Sequence, residues 1–201
     1  MAASEIRRAD RRRRGPAPLL ELDQILTVAL RLLDRHGASG FNMRTLAAEL
    51  GVSTMTIYNY VPTKSALITS AIDHVLGQVG PPEADAEQWE SELRRYARQA
   101  WDTQAPHPWI PTLLAEQHIV DRPLLATGRR ALVALFRQAG ADEDDALYAV
   151  AAFYSFMIGS FVQIRLTASG QVPERANSLF DAGVDILLAG FRTRFNGVAA
   201  T

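Results

Sequence analysis

A chain of 201 residues, 48% hydrophobic and 21% charged, carries enough apolar side chain for a small head and a larger body, each with its own core. Cysteine is absent, which excludes a disulfide framework, a thiol nucleophile and a thiolate metal site, and fits a reducing cytoplasm. The formal net charge of −1 hides an asymmetry: residues 1–65 hold ten Lys/Arg against six Asp/Glu and residues 66–201 eleven against sixteen, giving +4 and −5.

Much of the positive charge lies in Arg7, Arg8, Arg11, Arg12, Arg13 and Arg14, ahead of Pro16 and Pro18, so residues 1–18 read as a disordered arm. Such an arm suits phosphates or a minor groove, where arginine is drawn to concentrated negative potential; a solvated tail without a role is the plain alternative. No signal-type hydrophobic segment follows it and no apolar run reads as long enough to span a bilayer, so a soluble, unexported protein with no membrane partner is expected. The first helix shows Leu22, Ile25, Leu26, Ala29, Leu32 and Leu33 at helical spacing and is expected to end at Gly37.

Residues 43–64, MRTLAAELGVSTMTIYNYVPTK, follow as two short helices joined by a glycine turn, the layout of a helix-turn-helix. Gly51 suits the left-handed end of the leading helix, and Ser53 suits the cap of the next. Leu46, Ala47 and Leu50 form an inward stripe, with Ile57 and Val61 returning to it, and Ala47 is small enough for a close helix crossing. What remains outward over 54–60 is Thr54, Met55, Thr56, Tyr58, Asn59 and Tyr60, a polar and aromatic face with little charge that suits base edges in a major groove. Arg44, in the first turn of the leading helix beside Thr45, and Lys64, after the second helix, are placed to meet phosphates, and Thr63 reads as the cap of the helix that follows. The plainer reading leaves Tyr58 and Tyr60 partly in the core and Arg44 solvated.

The stretch GFNMRTLAAELGVSTMTIYNYVPTKSAL, within residues 22–76, resembles the DNA-binding segment of the tetracycline-repressor (TetR) family of one-component regulators. The resemblance implies a three-helix DNA-binding head, joined by a fourth helix to an all-helical ligand-binding body. It also implies that Arg44, Thr45, Ser53, Thr54, Met55, Thr56, Tyr58, Asn59, Tyr60 and Lys64 lie at the DNA. The expected division is an arm over 1–18, a DNA-binding domain over 19–65 and a ligand-binding and dimerisation domain over 66–201.

Beyond the head the sequence predicts a fourth helix over roughly 64–79, a break at Gly80-Pro81-Pro82 and a fifth helix from near Asp85 through Trp89, Leu93, Tyr96, Ala97 and Trp101. The Pro-marked APHPWIP at 105–111 separates it from a short helix ending around Gln117, and Arg122 to Ala139 forms another, stopped by Gly140. Asp142, Glu143, Asp144 and Asp145 open a long helix over about 143–168 that is apolar almost all round, and a last helix runs from about Pro173 to Phe195. No segment shows strand alternation, so the expected fold is all-α with about nine helices.

The excess of apolar surface on the last two helices fits a partner as well as a core, and family members dimerise through a four-helix bundle. Phe180, Val184, Leu187, Leu188 and Phe191 are the expected dimer contacts, with a large monomeric core as the alternative. DDALYAVAAFYSFMIGSFVQ at 144–163 and, more loosely, WDTQAPHPWIP resemble the tetracycline-repressor class itself. That implies a pocket lined by Trp101, His107, Trp109, Gln117, His118, Phe153, Tyr154, Met157, Phe161 and Gln163, suited to a planar, largely apolar effector. The class's metal-ligating carboxylate falls on Gln163 and its drug-contacting histidine on Gly80, so magnesium-bound tetracycline is not the expected inducer and no metal or cofactor is assigned.

No glycine-rich phosphate loop, nucleophile elbow or metal-spaced His/Cys/carboxylate cluster is present, and no enzymatic activity is expected. The expected function is a ligand-responsive repressor that binds a palindromic DNA operator as a homodimer. The alternative is a helical small-molecule-binding protein or enzyme whose head does not read DNA.

Overall fold

The computed structural model describes residues 20–84, 87–116, 123–167 and 174–198, and among these it is all-α, without a strand. The helices are α1 (Leu22–Gly40), α2 (Met43–Leu50), α3 (Thr54–Tyr58), α4 (Lys64–Leu76), α5 (Trp89–Gln104), α6 (Ile110–Glu116), α7 (Pro123–Gln138), α8 (Glu143–Thr167) and α9 (Glu174–Val198). The arm over 1–18, Gln117 and His118 lie outside the described residues.

Local chemistry sets the ends of the head helices. Gly37, at φ 66°, interrupts the helical backbone within α1 where the sequence places its end. Asn42, a cap not read from the sequence, accepts hydrogen bonds from the Arg44 and Thr45 amides and starts α2. Gly51 closes α2 in the left-handed conformation at φ 67°, with its amide on the Ala48 carbonyl and that of Val52 on Ala47. Ser53 and Thr63 cap α3 and α4 by accepting from Thr56 and Ala66.

Apolar burial then divides the chain into two cores. The head core joins Ile25, Leu26, Leu32 and Leu33 of α1 to Leu46 and Ala47 of α2 and Ile57 of α3. The buried face of α4 (Leu67, Ile68, Ala71, Ile72, Val75, Leu76) belongs to this core too, so the expected boundary at 65/66 falls in the first turn of a helix that packs with the head. Trp109 and Ile110 also enter the head core, and α6 is thereby docked on the head. The body core gathers Leu93, Tyr96 and Trp101 of α5, Leu132 and Phe136 of α7, Phe153, Met157 and Phe161 of α8, and Phe180, Leu188 and Phe191 of α9. Trp101 is stacked between Phe161 (5.4 Å) and Phe180 (4.2 Å), and its indole N–H donates to Asn177 Oδ1 at 2.7 Å.

Two expectations about α8 and α9 need correction. The span Glu143–Gln163 is long and apolar enough, by length and composition, to cross a membrane, with a mean hydropathy of 1.4. Its Ala146, Ala149, Val150, Phe153, Met157 and Phe161 instead face the body core. The named dimer residues Phe180, Val184, Leu188 and Phe191 are buried in the chain's own core, with Leu187 packed against it. Helical periodicity finds stripes, but on helices apolar all round it does not say which stripe turns inward. The outward stripe is instead Leu179 and Ile186 on α9, 59% and 73% exposed, beside Leu147, Tyr148, Ile158 and Val162 on α8. Small residues separate them: Ala151, Ala152 and Gly159 on α8, and Ala182, Ala189 and Gly190 on α9, all exposed. Within the chain α8 and α9 approach so closely that a Cβ on Gly183 would lie 2.4 Å from the Phe156 ring.

Candidate nucleic-acid interface

Three anchors fix α3. Ile57 is fully buried, Ser53 caps the N-terminus, and the Val61 amide bonds back to the Ile57 carbonyl at 3.1 Å. The regular helix stops at Tyr58, shorter than the 54–60 rod read from sequence, but Asn59 keeps helical torsions (φ −71°, ψ −22°) as its C-cap. At 3.6 residues per turn, Met55 and Asn59, two before and two after Ile57, both point about 160° away from it. Met55 is 69% exposed and Asn59 is exposed; Thr54 and Tyr58 form one flank and Thr56 the other.

The candidate residues differ in how free they are. The Ser53 and Thr56 hydroxyls lie 2.9 Å apart and satisfy one another, and Ser53 also holds the Thr56 amide. Tyr60, although partly exposed, donates its hydroxyl to the Leu20 carbonyl and so pins the start of α1 beside the recognition segment. Lys64 is half-buried; its Nζ donates to the Phe41 carbonyl at 2.5 Å and lies 5.7 Å from the centre of the Phe41 ring. It thus ties α4 to the loop before α2, a role absent from the sequence reading. Arg44 is exposed and its guanidinium has no partner among the described residues, whereas Arg31 and Arg35 of α1 both pair with Glu49 of α2. Thr45 is exposed in the same turn as Arg44. The result is an uncharged outer stripe on α3 and, in the first turn of α2, a cation without a partner among the described residues.

The residues expected to line an effector pocket fall into separate groups. Trp101, Phe153, Met157 and Phe161 are buried in the body core, and Gln163 is exposed. His107 and Trp109 turn toward the head: His107 Nδ1 lies 2.7 Å from Asp34 Oδ1, and Trp109 Nε1 donates to the same oxygen at 2.8 Å. One carboxylate at the end of α1 therefore holds the segment that leads into α6. Tyr154 keeps its hydroxyl enclosed, facing another phenol. The neighbouring phenol is Tyr96, which the sequence places on the fifth helix without a site role; a Cβ on Gly128 would lie 3.0 Å from its oxygen and 3.3 Å from that of Tyr154. Burial pushes both phenols above the ordinary tyrosine range, so both remain protonated donors at neutral pH. No group of three or more His, Cys, Asp or Glu is arranged to hold a metal ion among the described residues.

A capped helix anchored by Ile57, set after a glycine turn on a helical body, has the layout of a helix-turn-helix protein. Residues 25–71 match the model of bacterial regulatory proteins of the tetR family, and residues 81–182 match the tetracyclin repressor-like C-terminal domain. The chain belongs to the tetracycline-repressor family. It is 30% identical over 170 residues to the HTH-type transcriptional repressor DrrR1 of Streptomyces coeruleorubidus, a match covering 84% of this chain and 62% of that one, so the alignment spans less than two thirds of its relative. Its fold is similar to that of a TetR variant from Acinetobacter baumannii AYE in complex with minocycline (TM-score 0.71, 21% identity, 88% of this chain and 98% of that one). It is also similar to BioQ with its double-stranded DNA operator (TM-score 0.67, 21% identity, 87% and 99%).

Proposed function

We propose that the chain is a ligand-responsive DNA-binding transcriptional regulator, a cytoplasmic repressor that acts as a homodimer and not as an enzyme. The observation that carries this reading is the outward stripe of α3, Met55 and Asn59, held by Ile57 from behind. Two heads on a two-fold dimer present two such stripes to a palindromic operator. The apolar outer faces of α8 and α9 supply the dimer contact, with Leu179, Ile186, Tyr148 and Ile158 at its centre and small residues between. DrrR1, by its name a repressor, and BioQ with its operator support the same reading. The Arg-rich arm over 1–18 adds affinity without sequence choice.

The effector is small, largely apolar and planar, and sits between α5, α7 and α8. Tyr96 and Tyr154 supply its hydrogen bonds, and Phe153 and Met157 its apolar wall. Its binding reaches the heads by two routes: α4, whose apolar face is part of the head core, and the Asp34 carboxylate that holds His107 and Trp109. An effector that binds better when the α6 segment has shifted moves the two heads off operator spacing.

The test is selection of bound sequences from random duplexes at low ionic strength, followed by release with candidate compounds. The expected result is a palindromic site retained by a dimer and released by a planar apolar compound. A chain that retains no duplex overturns the regulator reading and favours a helical ligand-binding protein.

A further inference from the structure

We infer that α3 reads A·T pairs: its operator half-site is fixed by an adenine opposite Asn59 and a thymine whose C5-methyl packs on Met55, and it takes no guanine readout from the recognition helix. This rests on the DNA-binding reading proposed above and specifies the class of sequence bound.

The residues farthest from the Ile57 anchor are Met55 and Asn59, one helical turn apart on one line. A primary amide matches the N7 acceptor and N6 donor of adenine together, and an exposed thioether side chain, 69% accessible with nothing to cover it, matches the methyl that distinguishes thymine in the major groove. Cationic and glutamine donors are missing, which leaves the single-bond hydroxyls of Thr54 and Tyr58 on one flank. Residues 53–63, SerThrMetThrIleTyrAsnTyrValProThr, contain no arginine, lysine or glutamine, so the bidentate guanine contact that arginine makes cannot come from this helix. Two further polar groups are occupied: the Thr56 hydroxyl by Ser53, and the Tyr60 hydroxyl proton by the Leu20 carbonyl. Four residues of helix rise about 6 Å, just under two base-pair steps of about 3.4 Å, so the two contacts fall within two pairs of one another.

The experiment combines the duplex selection with dissociation constants of the full chain at one fixed salt concentration. Retained half-sites are expected to share at least one invariant A·T step. Replacing its thymine by deoxyuridine, which deletes only the methyl, is expected to weaken binding about fourfold, and Met55→Ala is expected to lose about as much and to become indifferent to that replacement. Asn59→Ala is expected to accept any base at the adenine position while keeping its affinity for random DNA. Half-sites fixed by G·C pairs alone, or wild-type affinity unchanged by deoxyuridine, overturn this inference while leaving the chain a DNA-binding protein. Retention of no duplex at all overturns both.

Discussion

Replacing Asp34 by alanine removes the one acceptor shared by His107 and Trp109, which sit 73 and 75 residues away in sequence. The Trp109 indole is 5% exposed, so its N–H, now 2.8 Å from Asp34 Oδ1, is left enclosed without an acceptor. An orphaned buried donor costs about 1–3 kcal/mol, and for a domain of this size each kcal/mol lowers Tm by about 2–4 °C, so a fall of about 2–12 °C is expected. The loss is local first. Hydrogen exchange should quicken in α6 and the end of α1 before it quickens in the body helices. Asp34→Asn retains a carbonyl acceptor and should recover most of the Tm. A Tm within about 1 °C of wild type, together with unchanged exchange over 109–116, refutes the view that this carboxylate fastens α6 to the head. An Asp34→Ala protein that still binds operator but responds poorly to effector is the expected functional result.

Lys64→Ala should lower Tm by several degrees as well as weaken binding to all duplexes, because its ammonium holds the Phe41 carbonyl; a fall in DNA affinity alone makes it a phosphate contact only. Arg44→Ala should weaken operator and random duplex alike and reduce the salt slope by about one, with no change in Tm, as measured by titration at several salt concentrations. Ile186→Arg places a charge in the centre of the exposed α9 stripe and should give a folded monomer in sedimentation, where an unchanged dimer mass removes this face from the interface. Glu92 has its pKa lowered by its hydrogen bond from Arg95, so the ionised form stabilises the fold above the ordinary carboxylate range and that contribution is lost as pH falls through the lowered value. Glu92→Gln should therefore be less stable than wild type at neutral pH, with the gap closing in acid, as followed by thermal melts from pH 7 to about 3.

The parts of the head that were legible in the sequence are those set by neighbours in the chain. Gly51, Ser53 and Thr63 act within four residues of themselves, and their types announce the turn and caps found. Asn42 carries an equally local signal, an amide directly before a helix, and it caps α2 in the same way. What the sequence left hidden depends on distant partners. The amphipathic pattern of α9 offers two apolar stripes, and only packing against α5 and α8 selects Phe180, Val184 and Leu188 as the inner one. His107 and Trp109 suit a ligand pocket by type; Asp34, on another helix, draws them to the head. Lys64 suits a phosphate until the Phe41 carbonyl is seen beneath it.

The bond from Tyr60 to the Leu20 carbonyl has a practical side. The acceptor belongs to the backbone of the first described residue, so shortening the chain past Leu20 also frees the Tyr60 hydroxyl proton and unties α1 from the segment after α3.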